Sequence, residues 1–141
     1  MNPYRRRVQY YETDGMGIVH HANYIHWMEE ARIDFMDQLG YPYAQMEAEG
    51  VASPVRAMQC AYKKPCAFGD SVDIAVSVRA FNGVVLTIGY EMRRCSDGAV
   101  VFEGQSEHVF VGREGRLVRM RRDMPGFCDA LEALIPRMSD A

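Results

Sequence analysis

The sequence predicts an α+β fold in which one antiparallel sheet is wrapped around one long central helix. Three observations point there. One strongly amphipathic helix spans residues 23–39, nearly everything after residue 50 reads as strand, and tight-turn signals join those strands. A sheet with one apolar face and a helix with one apolar stripe each need cover, and each is the economical cover for the other. With 141 residues and no internal repeat, low-complexity tract or linker, the chain is expected to be a single domain over 1–141.

Each element has its own signal. Tyr4 to Glu12 carries the tyrosines and valine of a first strand, and a loop from Thr13 to Ala22 follows. Between Asn23 and Leu39, the residues Tyr24, Trp27, Met28, Ala31, Phe35 and Leu39 recur at the i, i+3, i+4, i+7 spacing of one buried stripe. His26, Glu30, Asp34 and Asp37 fall on the opposite face. Asn23 suits an N-cap, and Gly40 stands where a C′ glycine ends a helix. Pro42 to Glu49 predicts a short second helix closed by Gly50.

The strands come next. Val51 to Tyr62 is expected to be one, interrupted near its start by Pro54. Val72, Ile74, Val76 and Val78 alternate with Asp73, Ser77 and Arg79, as a half-buried antiparallel strand requires. Asn82-Gly83 predicts a type I′ hairpin turn, and Val84, Leu86, Ile88, Tyr90 and Met92 keep the alternation on the return strand. Ser96-Asp97-Gly98 makes another turn before a strand from Val100 to Val111. Glu114-Gly115 then turns into a short strand, Leu117 to Met120, and Met124 to Leu134 predicts a terminal helix.

Composition narrows the function. A chain that is 48% hydrophobic and 25% charged reads as globular and soluble, and no run approaches the ~18 apolar residues of a membrane span. The basic segment Met1 to Arg7 lacks a following apolar region, so no secretory signal is read and a cytoplasmic location is expected. A net charge of −3 argues against nucleic acid as a partner. The four cysteines, Cys60, Cys66, Cys95 and Cys128, show no C-x-x-C spacing and predict no disulfide framework. Arg5 to Arg7, Lys63-Lys64 and the segment Arg116 to Arg122 are basic clusters, read as solvated faces that an anionic ligand could also use.

The chemistry concentrates in residues 10–24. Asp14 lies in a loop with Gly15 and Gly17, just before the long helix opens. A lone aspartate in such a loop is commonly a turn residue. A helix start, however, presents unpaired N–H groups and partial positive charge that can polarise a carbonyl oxygen. A carboxylate facing such donors is a minimal kit for acyl transfer. His20, His21 and His26 lack the spacing of a zinc site, so no metal is expected. Glu29 and Arg32 are spaced as an ion pair along the helix, with Glu29 a substitute base if Asp14 is inert.

Tyr11-Glu12-Thr13-Asp14, Gly17-Ile18-Val19-His20-His21-Ala22-Asn23-Tyr24 and Trp27-Met28-Glu29-Glu30-Ala31-Arg32 resemble the signature of hotdog-fold acyl-CoA thioesterases. The type is that of 4-hydroxybenzoyl-CoA thioesterase, including the thioesterases associated with the Tol-Pal system. Pro65-x-x-x-Gly69-Asp70 resembles the family's entry to its third strand. The resemblance implies that Asp14 is the catalytic nucleophile or base, and that the His21 N–H binds the thioester oxygen. It implies that Gly17, Asn23 and Tyr24 shape the substrate site, with acyl-CoA as substrate and no metal or redox cofactor. It further implies a homodimer or homotetramer through hotdog pairing. The basic residues that the 4-hydroxybenzoyl enzyme carries near its counterpart of Phe81-Asn82-Gly83 are absent. Two other readings stand beside hydrolysis: a hotdog enoyl-thioester hydratase or dehydratase, and a non-catalytic acyl-thioester-binding module.

Overall fold

The structure, a computed structural model, describes residues 1–136. Its strands are β1 (Tyr4–Arg7), β2 (Val55–Tyr62), β3 (Ser71–Phe81), β4 (Leu86–Arg94) and β5 (Val100–His108). Its helices are α1 (Ala22–Leu39), α2 (Tyr43–Ala48), α3 (Met120–Asp123) and α4 (Pro125–Leu134). The strands form one antiparallel sheet in the order β1-β3-β4-β5-β2. Only β3, β4 and β5 run as a meander. The chain makes β2 before β3, yet β2 lies outside β5 and leaves one sheet edge open, while β1 forms the other.

Contacts divide the chain into two compact units. One comprises residues 1–35, 60–76 and 90–104; the other comprises 36–59, 77–89 and 105 onward. In the first, β1 pairs antiparallel with β3, Tyr4 opposite Ile74 and Arg6 opposite Val72. Tyr24, Trp27, Met28, Ala31 and Phe35 are all buried, so the helical stripe read from the sequence is the face that packs. Tyr24 stacks on Phe102 of β5 with ring centroids 5.2 Å apart. A Cβ at Gly104 would lie 2.6 Å from the Phe102 ring and 3.1 Å from Met28, so only glycine allows this approach.

In the second unit, α1 ends as its glycine predicts. Gly40 has φ +93°, its N–H donates to Asp37 O at 3.1 Å, and the Tyr41 N–H donates to Met36 O at 3.0 Å. Those two bonds are a Schellman motif. Phe110 meets Phe81 and Phe127 edge to face, and Tyr41 meets Phe127 in the same way. Phe127, Cys128 and Leu131 of α4 close this cluster.

Several sequence expectations are corrected. The first strand stops at Arg7, and Tyr10–Glu12 forms a 3₁₀ turn instead of continuing to Glu12. Tertiary demand overrides tyrosine's β-propensity here, because the turn carries Glu12 inward and leaves Tyr10 and Tyr11 exposed. Asn23 lies inside α1 and is not its N-cap. β2 begins at Val55, since Pro54 has no N–H to give a ladder; Ala52 makes only an isolated bridge with Val111.

The other corrections fall at turns. Asn82-Gly83 does not form a type I′ turn, which needs positive φ at both residues; Gly83 has it and Asn82 does not. Asn82 Oδ1 instead accepts the Val84 and Val85 N–H groups, widening the loop, so β4 starts at Leu86. β5 ends at His108, and Leu117 to Met120 is no strand: Leu117 bridges Val111 alone and Met120 opens α3. The cluster Arg5 to Arg7 is only partly a solvated face. Arg5 pairs with Asp73 across the strands, while Arg6 turns inward.

Gly40 has open space where a Cβ would stand, so replacing it tests backbone strain alone. Gly40→Ala is expected to lower unfolding free energy by about 1 kcal/mol in urea titrations, with turnover unchanged. An unshifted midpoint would show that the left-handed position costs an L residue nothing there.

Candidate active site

Glu12 organises the region that the sequence singles out. Its side chain is 2% exposed, and its carboxylate takes two N–H groups of Arg6 at 2.7 and 2.9 Å. It also accepts the Gln9 N–H at 2.7 Å and the Trp27 Nε1–H at 2.8 Å. A carboxylate moved out of water needs such a full set of donors. Arg6 also donates to Glu30 at 2.9 Å and lies over the Trp27 ring, while Tyr4 donates to the same Glu30 oxygen. Burial, then that bond to Glu30, pushes the Tyr4 phenol up to about 12.

The backbone oxygen of Glu12 reaches the loop. It accepts the His20 N–H at 2.9 Å and the Asn23 side-chain amide at 2.8 Å. The loop itself is narrow: Thr13 bridges Val19, the Asp14 N–H donates to Ile18 O, and the Gly17 N–H donates to Asp14 O. Gly17 sits at φ +81°, which closes that turn without strain. The Asp14 carboxylate is exposed at the tip and accepts the Met16 N–H at 2.7 Å through Oδ1.

The helix start leaves one donor over. His20 O accepts the Asn23 N–H at 3.0 Å, and the Ala22 N–H donates to His20 Nδ1 at 3.2 Å. His21 O accepts the Tyr62 hydroxyl at 3.1 Å and the Tyr24 N–H at 3.4 Å. Of the four polar groups on the two peptides flanking His21, three are bonded within the chain. The fourth, the His21 N–H, donates to no acceptor among the described residues. A trans peptide points its N–H opposite to its C=O. Because His20 O turns into the first helical turn, the His21 N–H points away from it.

A cleft of about 270 Å³ lies beside this turn, lined by Ile18, Val19, His21, Tyr24, Tyr62 and the segment Lys63 to Pro65. Tyr24, Tyr62 and Phe102 meet as an aromatic wall, Tyr62 edge-on to both others. Burial pushes the Tyr24 phenol well above its ordinary value, with Cys66 beside it adding to the effect, so this wall is uncharged. Lys63 lies 4.0 Å from Glu103.

The cleft thus gathers His21 and Tyr24 of the expected site residues. Asp14 and Gly17 occupy the adjoining loop tip, and Asn23 turns its side chain to Glu12 O instead. Glu29 makes the expected ion pair, its carboxylate 2.5 Å from Arg32. No group of three or more His, Cys, Asp or Glu side chains among the described residues is arranged to hold a metal ion. All four cysteines are free. Sequence reading missed Glu12 and Tyr62. Glu12 had one available signal: an acidic residue three positions after Gln9 and fifteen before the lone tryptophan, next to a basic run. Tyr62 had none, because nothing local ties position 62 to position 21.

A five-stranded antiparallel sheet with one long helix is the hotdog architecture, and the first turn of that helix offers an unspent amide beside a cleft. Residues 8–137 match the Thioesterase-like superfamily, and the chain belongs to that family. The Bacillus subtilis protein named "Putative acyl-CoA thioesterase YneP" is 36% identical over 126 residues, covering 89% of this chain and 91% of that protein. The protein named acyl-CoA thioester hydrolase YbgC of Escherichia coli O157:H7 is 32% identical over 80 residues, covering 57% of this chain and 60% of that protein. Among solved structures, the DHNA-CoA thioesterase of Staphylococcus aureus superposes with a TM-score of 0.89 at 28% identity, covering 94% of this chain and 89% of that one. No helix among the described residues is long and apolar enough to cross a membrane.

Removing one partner of a buried, hydrogen-bonded charge pair typically costs about 3–5 kcal/mol. Glu12→Gln is expected to fall near the lower end, because one face of the amide must offer an N–H to donors. Denaturant unfolding measures the loss, and Trp27, the only tryptophan, reports it locally through fluorescence. Wild-type stability with an unmoved emission maximum would remove Glu12 from the centre of this site.

Proposed function

We propose that the chain hydrolyses an acyl-CoA thioester, with Asp14 as nucleophile or general base and the His21 N–H as oxyanion donor. The observation that carries this reading is the unspent His21 amide at the start of α1. A substrate carbonyl placed in the cleft meets that donor together with the partial positive charge of the helix start. Asp14 Oδ1 is engaged by the Met16 N–H, which leaves Oδ2 as the reacting oxygen.

Two routes fit this arrangement. In one, Oδ2 attacks the thioester carbon, the C–S bond breaks, and CoA leaves as thiolate. Water then hydrolyses the resulting anhydride and restores the carboxylate. In the other, Asp14 takes a proton from water as the oxygen adds to the same carbon, and the proton passes to the departing sulfur. In both, negative charge grows on the former carbonyl oxygen, and in this reading the His21 N–H meets it. The aromatic wall and Val19 suit the acyl and pantetheine portions, Gly17 keeps the loop tip clear of the substrate, and Asn23 holds the helix start to Glu12 O. Lys63 and Lys64 on the rim suit the CoA phosphates. No cofactor or metal takes part in this scheme.

The whole chain, 1–141, is read as one functional domain, with 137–141 outside the described residues. The match over 8–137 supports this, as does the passage of α1, β3, β4 and β5 through both compact units. A homodimer, or a tetramer of such pairs, is supported by β2, an exposed eight-residue strand on an open sheet edge. Sedimentation at micromolar concentration is expected to give a species of at least two chains, and a monomer would remove that part of the proposal. The carboxylate-bearing loop and the acyl-CoA relatives suit an enzyme working on CoA esters in the cytoplasm.

Asp14→Asn is expected to bind acyl-CoA with little change in affinity while losing on the order of 10³ in kcat, read by thiol release. His21→Ala, which keeps the backbone N–H, is expected to stay within about tenfold of wild type. Near wild-type turnover by Asp14→Asn would remove Asp14 from the chemistry, and loss of enoyl absorbance without thiol release from an enoyl-CoA would overturn the hydrolase reading.

A further inference from the structure

We infer that Tyr62 is a positioning residue: its hydroxyl holds the His21 carbonyl and thereby sets the direction of the amide that receives the thioester oxygen. The inference rests on the reading of His21 given above and adds to it a residue from a different element. His21 stands between two peptides. The one before it is fixed by His20 O, bonded to the Asn23 N–H at 3.0 Å. The one after it is fixed at its carbonyl by the Tyr62 hydroxyl at 3.1 Å and by the longer, 3.4 Å bond from the Tyr24 N–H. With both carbonyls held, φ and ψ at His21 have little freedom. Without the hydroxyl, the oxygen of the second peptide is held by amides of the first helical turn alone, and the His21 Cα gains freedom to rotate.

Tyr62 is itself well held. It ends β2, and the next residue, Lys63, donates its N–H to Val101 O at 2.9 Å. Its ring meets His21, Tyr24 and Phe102 edge to face at centroid distances of 6.3, 5.4 and 5.3 Å. A ring braced on three sides delivers its hydroxyl with little loss of rotamer freedom at the moment of reaction. Burial, reinforced by neighbouring Cys60, raises the phenol above its ordinary value, so it remains a donor at neutral pH. The same ring lines the cleft, which separates two roles within one side chain: the hydroxyl orients and the ring contacts substrate.

Tyr62→Phe removes the first role and keeps the second. It is expected to lower kcat for acyl-CoA hydrolysis by about tenfold while KM stays within about twofold. Tyr62→Leu, which removes both roles, is expected to raise KM as well. The backbone amide resonance of His21 in a ¹⁵N-labelled protein is expected to shift or broaden in Tyr62→Phe, while amides of β4 stay in place; a general loss of folding would move both. Wild-type kcat in Tyr62→Phe, or a His21 amide that does not move, overturns the inference. Asp14→Asn assayed alongside separates the two levels. If it is inactive while Tyr62→Phe is fully active, only the positioning role fails; if the wild-type protein itself releases no thiol from acyl-CoA, the hydrolase reading fails and takes this inference with it.

Discussion

A buried carboxylate, that of Glu12, is the constraint on which the local structure depends. An ion taken from water into a protein interior costs several kcal/mol unless donors replace its hydration. Here they come from three places in the chain: the Arg6 guanidinium on β1, the Gln9 N–H in the 3₁₀ turn, and the Trp27 indole on α1. Satisfying one side chain therefore pins a strand, a turn and a helix to each other. The backbone oxygen of the same residue extends the hold to His20 and Asn23, which stand on either side of His21 at the start of α1. Arg6 in turn needs its own compensation, which Glu30 and the face of the Trp27 ring supply.

That hold explains why an amide at the helix start can be left unpaired. An unused N–H in a mobile loop would find water or a neighbouring carbonyl. At His21 the competing acceptors are already taken, since His20 O serves Asn23 and His21 O serves Tyr62 and Tyr24. Preorganised donors stabilise a developing charge because they need not reorient as it forms. In the proposed scheme the reorganisation cost is met in advance by folding, through the Glu12 network and the bonds of Tyr62 and Tyr24 to the His21 carbonyl.

How much of this was legible in the sequence depended on how local each cause was. The α1 stripe, the Gly40 terminus and the Asp97-Gly98 turn are set by residues within a few positions of each other, and the structure has them as read. Where a distant partner decided the outcome, the local signal misled. Tyr4 to Glu12 has strand-forming residues, but Glu12 is drawn inward by Arg6 and Trp27 and the strand ends early. Asn82 was read as the first residue of a two-residue turn, yet its own side chain bonds two amides and makes a wider one. Asn23 looks like a cap; His20 Nδ1 receives the Ala22 amide instead, because Asn23 is engaged with Glu12 O. As candidates for the site, Asp14, His21 and Tyr24 were singled out because they lie in one contiguous stretch with a recognisable pattern. Tyr62 was not, since it reaches His21 only through the pairing of β2 with β5, a topology that periodicity does not encode.

The two halves of the proposed chemistry are consequently built on different principles. The amide of His21 is held from several sides and its surroundings are crowded with aromatic rings. Asp14 sits at an exposed loop tip just before Gly15 and Gly17, positions where a side chain would meet nothing within 4 Å. A donor that must match a developing charge gains from rigidity. A nucleophile or base gains from access, because it must approach a carbon or a water in the same step, and room around it lets large acyl groups enter and leave. Placing the acid next to glycines and the donor next to Glu12's network lets one short stretch of chain satisfy both demands. The single bond from the Met16 N–H then orients the carboxylate without enclosing it.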